Sequence, residues 1–378
     1  MREKKRPVFV IGHKNPDTDS ICSAIAYANL KKKITGEEYV ARRAGHLNEE
    51  TQYILERFGV KPPEYIKDVG TQVKDIEIRE TEGVSENISL KEAWTLMKEN
   101  NVVTLPITTA ERELLGLITI GDIATSYMDM YDSSILATAN TKYQNIIETL
   151  DATLVIGDAE AYFNKGKVLV AAANPDLMEN YIEPNDLVIL GNRYESQLCA
   201  IEMNAACIIV CEGAPVSLTI KKLAEEEHCT VISTPHDTFT AARLINQSMP
   251  IRYFMRRDHL ITFHTDDFTE KLKEVMSKKR HRDFPILDKQ GLYIGMVSRI
   301  DLLNAARKKV IMVDHNEKNQ AVDGIENADI LEIIDHHRLG SVETISPVFF
   351  RNQPLGCTAT IVYQMYQESG IPIGNVIA

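Results

Sequence analysis

Ligands suited to a divalent metal stand at both ends of this 378-residue chain, separated by most of its length. His13-Lys14-Asn15-Pro16-Asp17-Thr18-Asp19 follows an apolar run near the N-terminus. Asp314-His315-Asn316 and Asp335-His336-His337 each follow an apolar run near the C-terminus. Carboxylate oxygen with imidazole nitrogen suits Mn, Co, Mg or Zn better than thiolate-seeking ions. Together these groups exceed the needs of one closed site. They point to a two-metal site, an arrangement that activates water against phosphorus. Taken singly, each motif has an ordinary explanation: Asp19 as a helix cap, Asn15-Pro16-Asp17 as a turn, His336-His337 as exposed loop residues. Three such motifs, each directly after its own strand, make chance a poor account.

The elements that must position these residues are short strands. Val8 to Gly12 reads as a buried parallel strand, followed by a helix from Asp19 or Ser20 to about Lys33. A second strand at Val40–Arg42 and a helix from Asn48 to Phe58 complete a β-α-β-α opening that stops near Pro62-Pro63. Strand-and-loop alternation resumes at Val310–Val313 and Ile330–Ile334, each run ending on an aspartate. In open parallel sheets functional groups gather beyond the carboxyl ends of the strands, where all three motifs stand.

An internal repeat lies between the two halves. Leu105-Pro106-Ile107 matches Phe284-Pro285-Ile286, and Gly116-Leu117-Ile118-Thr119 matches Gly295-Met296-Val297-Ser298. Met97 matches Met276 and Asp122 matches Asp301, every pair offset by 179 residues without a gap. Several matches in one register indicate duplication. Between the copies, short strands at Thr153–Ile156, Val168–Ala172, Asp186–Leu190, Ala206–Val210 and Thr230–Ser233 form a further α/β stretch.

Composition narrows the function class. Charged residues make up 25% and hydrophobic residues 44% of the chain, as in an ordinary globular protein of about two to four domains. The net charge of -12 and the lack of a long basic tract argue against nucleic acid as a partner. No apolar run approaches membrane-spanning length and the N-terminus does not read as a signal peptide, so a cytoplasmic protein without a membrane partner is expected. The six cysteines are scattered, and Cys207-x3-Cys211, the one close pair, reads as buried reduced thiols rather than a zinc site.

The three end motifs resemble those of the DHH phosphoesterase superfamily, and the Asn-Pro-Asp-Thr-Asp form is similar to family II inorganic pyrophosphatases. Gly356-Cys357-Thr358-Ala359-Thr360 also resembles that family. The repeats resemble a CBS pair, and Thr234 to Leu244 resembles the end of a DRTGG domain. The implied fold is α/β: a DHH-type parallel-sheet catalytic domain interrupted by a CBS pair and a DRTGG-like domain. The expected segments are 1–66 and 308–378 for the catalytic domain, 67–130 and 249–307 for the CBS repeats, and 131–248 for the DRTGG-like domain.

The resemblance implies hydrolysis of inorganic pyrophosphate to two phosphates, with two Mn2+ or Co2+ ions per site and Mg2+ accompanying the substrate. His13, Asp17 and Asp314 would hold one metal. Asp19, Asp314 and His336 would hold the other, with Asp314 bridging. His337 would face the substrate phosphates, and Asp335 would orient the histidines. Thr119 with Asp122, and Ser298 with Asp301, match the family's nucleotide contacts. The implied regulators are AMP, ADP, ATP and diadenosine polyphosphates, acting on a homo-oligomer.

The family's catalytic domain extends further than Ala378, which lies 41 residues after His337. The reading therefore expects this polypeptide alone to be weakly active or inactive. Two rival readings are a phosphodiesterase acting on short oligonucleotides or cyclic dinucleotides, and a non-catalytic adenine-nucleotide sensor.

Overall fold

The computed structural model describes residues 6–128, 132–374 and 377. The expected boundary between 130 and 131 lies outside the described residues. The chain divides into two compact units: Met1–Ile78 with Phe263–Arg282 and Val297–Ala378, and Arg79–Thr262 with Asp283–Met296.

The first unit is built around a six-stranded parallel sheet drawn from both ends of the chain. Its strands are β1 (Val8–Ile11), β2 (Tyr39–Arg43), β3 (Glu64–Tyr65), β4 (Lys309–Val313), β5 (Asp329–Asp335) and β6 (Phe349–Asn352). Their order is β6-β5-β4-β1-β2-β3. From β1 the chain steps outward to β2 and β3, and from β4 it steps the opposite way to β5 and β6. The direction therefore reverses between β1 and β4, and such a switch point leaves a crevice at the carboxyl ends of the two strands.

Both faces of the central strands are covered, so the strands read as continuous apolar runs rather than alternating ones. Val8, Val10, Ile311 and Val313 turn to one face, where they meet Ala24, Tyr27, Ala28 and Leu30 of α1 (Thr18–Thr35). Helix α2 (Glu49–Arg57) joins β2 to β3, and Ile361, Val362 and Tyr366 of α3 (Thr358–Glu368) join the same core as α1. Ile11, Val310 and Met312, one residue out of phase, turn to the other face with Val69, Val322 and Ile325. The period of two sets this division. Helix α1 begins slightly earlier than the sequence suggests: Asp17 is its N-cap, accepting from Ser20 N at 2.9 Å, and Gly36 ends it at φ 71°.

The loops after β1 and β2 are in close contact. A Cβ on Gly45 would lie 2.1 Å from the Lys14 carbonyl oxygen and 2.5 Å from Pro16 Cδ. Gly45→Ala is therefore expected to destabilise the first unit by about 1–3 kcal/mol, because backbone must move to admit the methyl group. Calorimetric melting checks this; an unchanged transition would refute it.

In the second unit a five-stranded sheet has the order Thr153–Ile156, Thr230–Ser233, Cys207–Val210, Leu187–Leu190, Val168–Val170. The last four strands are parallel to one another and the first is antiparallel. The first repeat folds as the helix Leu90–Glu99, an antiparallel pair Thr104–Thr108 and Leu114–Thr119, and the helix Ile120–Met128. The second copy, whose residues are divided between the two units, has Thr269–Lys278, Asp283–Leu287, Tyr293–Ser298 and Arg299–Leu303, at the 179-residue offset except that its last helix ends four residues sooner.

Cys207, Cys211 and Cys229 are fully or almost fully buried in the second unit. Burial pushes the Cys211 thiol up to about 11, Cys229 to about 12 and Cys207 well above the ordinary thiol range. These three should resist a thiol reagent at pH 8 in the native state, since the thiolate is the nucleophile. All six cysteines should react in guanidinium. Native-state labelling of any of the three as fast as that of the partly exposed Cys357 would contradict the packing.

Candidate metal centre

The crevice between β1 and β4 holds the clustered acids and imidazoles. His13 stands two residues past β1, and Asp314 directly past β4. Asp314 is buried and its backbone is left-handed, with φ 62°. A non-glycine residue held there indicates strain that its surroundings impose, a pattern common at functional sites. The Asp314 N–H donates to Ile334 O at 2.9 Å, which fixes the turn to the end of β5.

The two carboxylate oxygens of Asp314 face different histidines. Oδ2 lies 3.4 Å from His13 Nε2, and Oδ1 lies 3.5 Å from His336 Nε2. Asp17 Oδ1 is 3.8 Å from His13 Nε2, and Asp19 Oδ2 is 3.8 Å from His336 Nε2. The structure thus brings His13, Asp17, Asp19, Asp314 and His336 together, with Asp314 central. These spacings are long for hydrogen bonds. Neighbouring ligands of one cation, with bonds of about 2.1 Å, stand about 3.0–3.5 Å apart.

The charge balance also fits a metal. Among the described residues, no lysine or arginine pairs with Asp17, Asp19 or Asp314. Burial pushes the Asp314 carboxyl up, and nearby Asp19 adds to this. Burial alone would lower His13, but the Asp314, Asp17 and Asp19 carboxylates outweigh it and raise the imidazole. A bound dication would reverse both shifts, since it becomes the largest local charge. The donor set, hard oxygen with imidazole nitrogen, suits Mn2+ or Co2+.

Neighbouring groups fix the orientation of each donor. His336 Nδ1 sits 2.9 Å from Leu355 O, so its proton lies there and Nε2 keeps a free lone pair. His337 Nδ1 sits 2.8 Å from Asp335 Oδ1, which leaves its Nε2 available. Asp335 also accepts the His336 and His337 N–H groups and the Asn316 side-chain amide. Asp335 therefore sets the ring of His337 only; a main-chain carbonyl sets the ring of His336.

Asp19 is held by the start of α3. Thr358 N donates to Oδ2 at 2.7 Å and Ala359 N to Oδ1 at 2.8 Å, and the helix N-terminus favours the anion. Thr358 Oγ1 donates to Asp314 Oδ1 at 2.8 Å. Sequence reasoning noted this segment only as a resemblance, because backbone donors carry no residue signature. It also counted His315 in the motif after β4 without giving it a role of its own. That imidazole is buried, its Nδ1 lies 2.9 Å from Val313 O, and burial holds it down at about 4. Asn316 was likewise named in the motif with no role: it links Asp335 to the Arg338 carbonyl and the Gly340 N–H.

The nucleotide candidates belong to two local caps. Thr119 N and Oγ1 donate to Asp122 Oδ2 at 2.9 and 2.6 Å, and Arg256 donates twice to Asp122 Oδ1. Ser298 N and Oγ donate to Asp301 Oδ2 at 2.7 and 2.8 Å. Each hydroxyl proton is thus committed to its own helix start. Arg193 and Glu195 are exposed.

A strand-end acid–imidazole cluster on a parallel sheet drawn from both ends of the chain has the donor set of a metal-dependent α/β protein. Family models match a DRTGG domain at residues 145–248 and CBS domains at 73–129 and 251–308. A cobalt-dependent inorganic pyrophosphatase of Clostridium perfringens is 41% identical over 367 residues, covering 97% of this chain and 67% of that protein. A probable manganese-dependent inorganic pyrophosphatase of Thermotoga maritima is 36% identical over 372 residues, covering 98% and 68%. The crystal structure of the CBS and DRTGG domains of the C. perfringens pyrophosphatase regulatory region, complexed with the activator diadenosine tetraphosphate, is 37% identical with a TM-score of 0.58. It covers 61% of this chain and 100% of that one. This chain belongs to the cobalt- and manganese-dependent inorganic pyrophosphatases that carry CBS and DRTGG domains. Among the described residues, no helix is long and apolar enough to cross a membrane.

Proposed function

We propose that this chain hydrolyses inorganic pyrophosphate at the Asp314 centre, under control of adenine nucleotides bound by its CBS repeats. The observation that carries the reading is the placement of the two Asp314 oxygens, one toward His13 and one toward His336. His13, Asp17 and Asp314 would hold one Mn2+ or Co2+, and Asp19, Asp314 and His336 the other. When bound, such ions lower the pKa of water and stabilise charge on phosphoryl oxygen.

The residues of the chain prepare the site. Thr358 and the first amides of α3 hold Asp314 and Asp19 as acceptors. Leu355 O holds the His336 proton on Nδ1. Asp335 holds His337 with Nε2 free, in a position to donate to a substrate phosphate when protonated.

Thr119, Asp122, Ser298 and Asp301 would take the nucleotide, AMP or diadenosine tetraphosphate among others. A ribose hydroxyl approaching Asp122 must replace one of its present donors, Thr119 or Arg256. Phosphate release from pyrophosphate with Mn2+ or Co2+ tests the catalytic reading. Hydrolysis of a dinucleotide without hydrolysis of pyrophosphate would favour a phosphodiesterase instead. Calorimetric titration with AMP and diadenosine tetraphosphate tests the regulatory reading: Asp122→Ala with Asp301→Ala should weaken binding, and equal affinity would remove those residues from the site.

A further inference from the structure

A second cavity opens beside the metal loop, also at the carboxyl ends of the parallel strands. It measures about 560 Å³ and lies where the loops after β1, β2 and β3 converge. Lys14 and Lys67 line it, with Asn15, His46, Tyr65 and Asn48. Among the described residues, neither lysine ammonium has an ion-pair or hydrogen-bond partner. In a chain of net charge -12, these two ammonium groups line one cavity without a counter-ion of their own.

The cavity is built by specific contacts. His46 stacks on Tyr65 with ring centroids 6.2 Å apart and planes 10° apart. The Arg43 guanidinium sits 5.4 Å from the Tyr65 ring centroid and donates to the Gly45 and Pro63 carbonyls. Arg43 therefore braces the wall, leaving Lys14, Lys67 and His46 as the groups able to meet a ligand. Lys14 N donates to Gln320 O at 2.8 Å, which anchors the loop that carries both this lysine and His13. Asp17 and Asp323 also line the cavity and set a limit on how much anionic charge it can take.

We infer that this cavity is an anion subsite that takes inorganic phosphate, adjoining the metal-ligand cluster, with which it shares Asp17 as a wall. The inference rests on the pyrophosphatase reading for its choice of anion: hydrolysis yields two phosphates, each of which must leave. Two ammonium groups and an imidazole offer charge-assisted donors, the kind that recognise phosphate oxygens. The space is ample for one phosphate with water around it. Lys14 and Lys67 would receive product phosphate as it departs the metal centre, lowering its return.

The test uses the full chain stripped of metal with a chelator and titrated calorimetrically with inorganic phosphate. Lys14→Ala with Lys67→Ala should weaken phosphate binding by about tenfold or more, as expected for two charge-assisted contacts. His13→Ala with His336→Ala should leave the affinity unchanged. Both lysines are exposed, so folding should persist; Lys67→Met alone, with a smaller loss, guards against a folding defect in the pair. Unchanged affinity in the double lysine variant would overturn the inference, as would an equal loss in the histidine variant. Absence of Mn2+ uptake by the unstripped chain with phosphate binding intact would count against the catalytic reading and leave this subsite standing.

Discussion

Asp314→Asn should reduce pyrophosphate hydrolysis by at least about 1,000-fold, the scale of losing a group that organises transition-state charge. Asparagine tolerates the left-handed backbone at φ 62°, so the turn after β4 should survive. Its carboxamide oxygen can still accept from Thr358 Oγ1, which now contacts Oδ1 at 2.8 Å. The charge and one of two ligand oxygens are lost. Because those oxygens face His13 and His336 separately, both metal positions should weaken together. Equilibrium dialysis with Mn2+ should show reduced uptake at both positions, alongside an unchanged circular dichroism spectrum. A variant that keeps turnover within tenfold, or that loses one metal only, would refute the bridging assignment.

Asp335→Asn should have the next largest effect. Asp335 is fully buried and accepts from the His336 and His337 main chain, from His337 Nδ1 and from Asn316 Nδ2. A carboxamide offers one acceptor oxygen and places an NH2 group against a donor. Either His337 turns over its tautomer or Asn316 rotates and releases Arg338 O and Gly340 N. Substituting a group that orients ligands typically costs about 10–100-fold in activity or metal affinity. The unpaired buried donor should add about 1–3 kcal/mol of destabilisation. Turnover and melting both close to those of the unchanged protein would show that Asp335 does not govern the histidine geometry.

Several features were legible in the residue order. The 179-residue offset between Pro106 and Pro285 is carried down to the ends of the strands and of the first helix and to the start of the last helix, because a duplicated unit keeps its local propensities and turn lengths. Strand-end placement of His13, Asp314 and Asp335 followed from apolar runs too short for helices. The pairing of β1 with β4 across some 300 residues was implied only by the like character of their loops; in the sheet the register sets Phe9 beside Val310 and Ile11 beside Met312.

Other features were not legible. Asp17 rather than Asp19 caps α1, a choice made by which side chain reaches Ser20 N. Asp19 is thereby released to the amides of Thr358 and Ala359, almost the whole chain length away. Peptide N–H groups are identical at every position, so no residue pattern could announce them. The division of labour between Leu355 O and Asp335 in orienting the two adjacent histidines depends on ring rotation, which sequence does not express.

Taken by itself, the sequence determined the donor chemistry, the duplication and the strand ends, because these depend on residue type and local periodicity. Tertiary structure alone decided that Asp314 turns one oxygen to His13 and the other to His336, and that Lys14 and Lys67 face a common cavity. Those outcomes depend on sheet order: the reversal between β1 and β4 sets the two loops face to face, and the neighbouring β2 and β3 loops bound the space beside them.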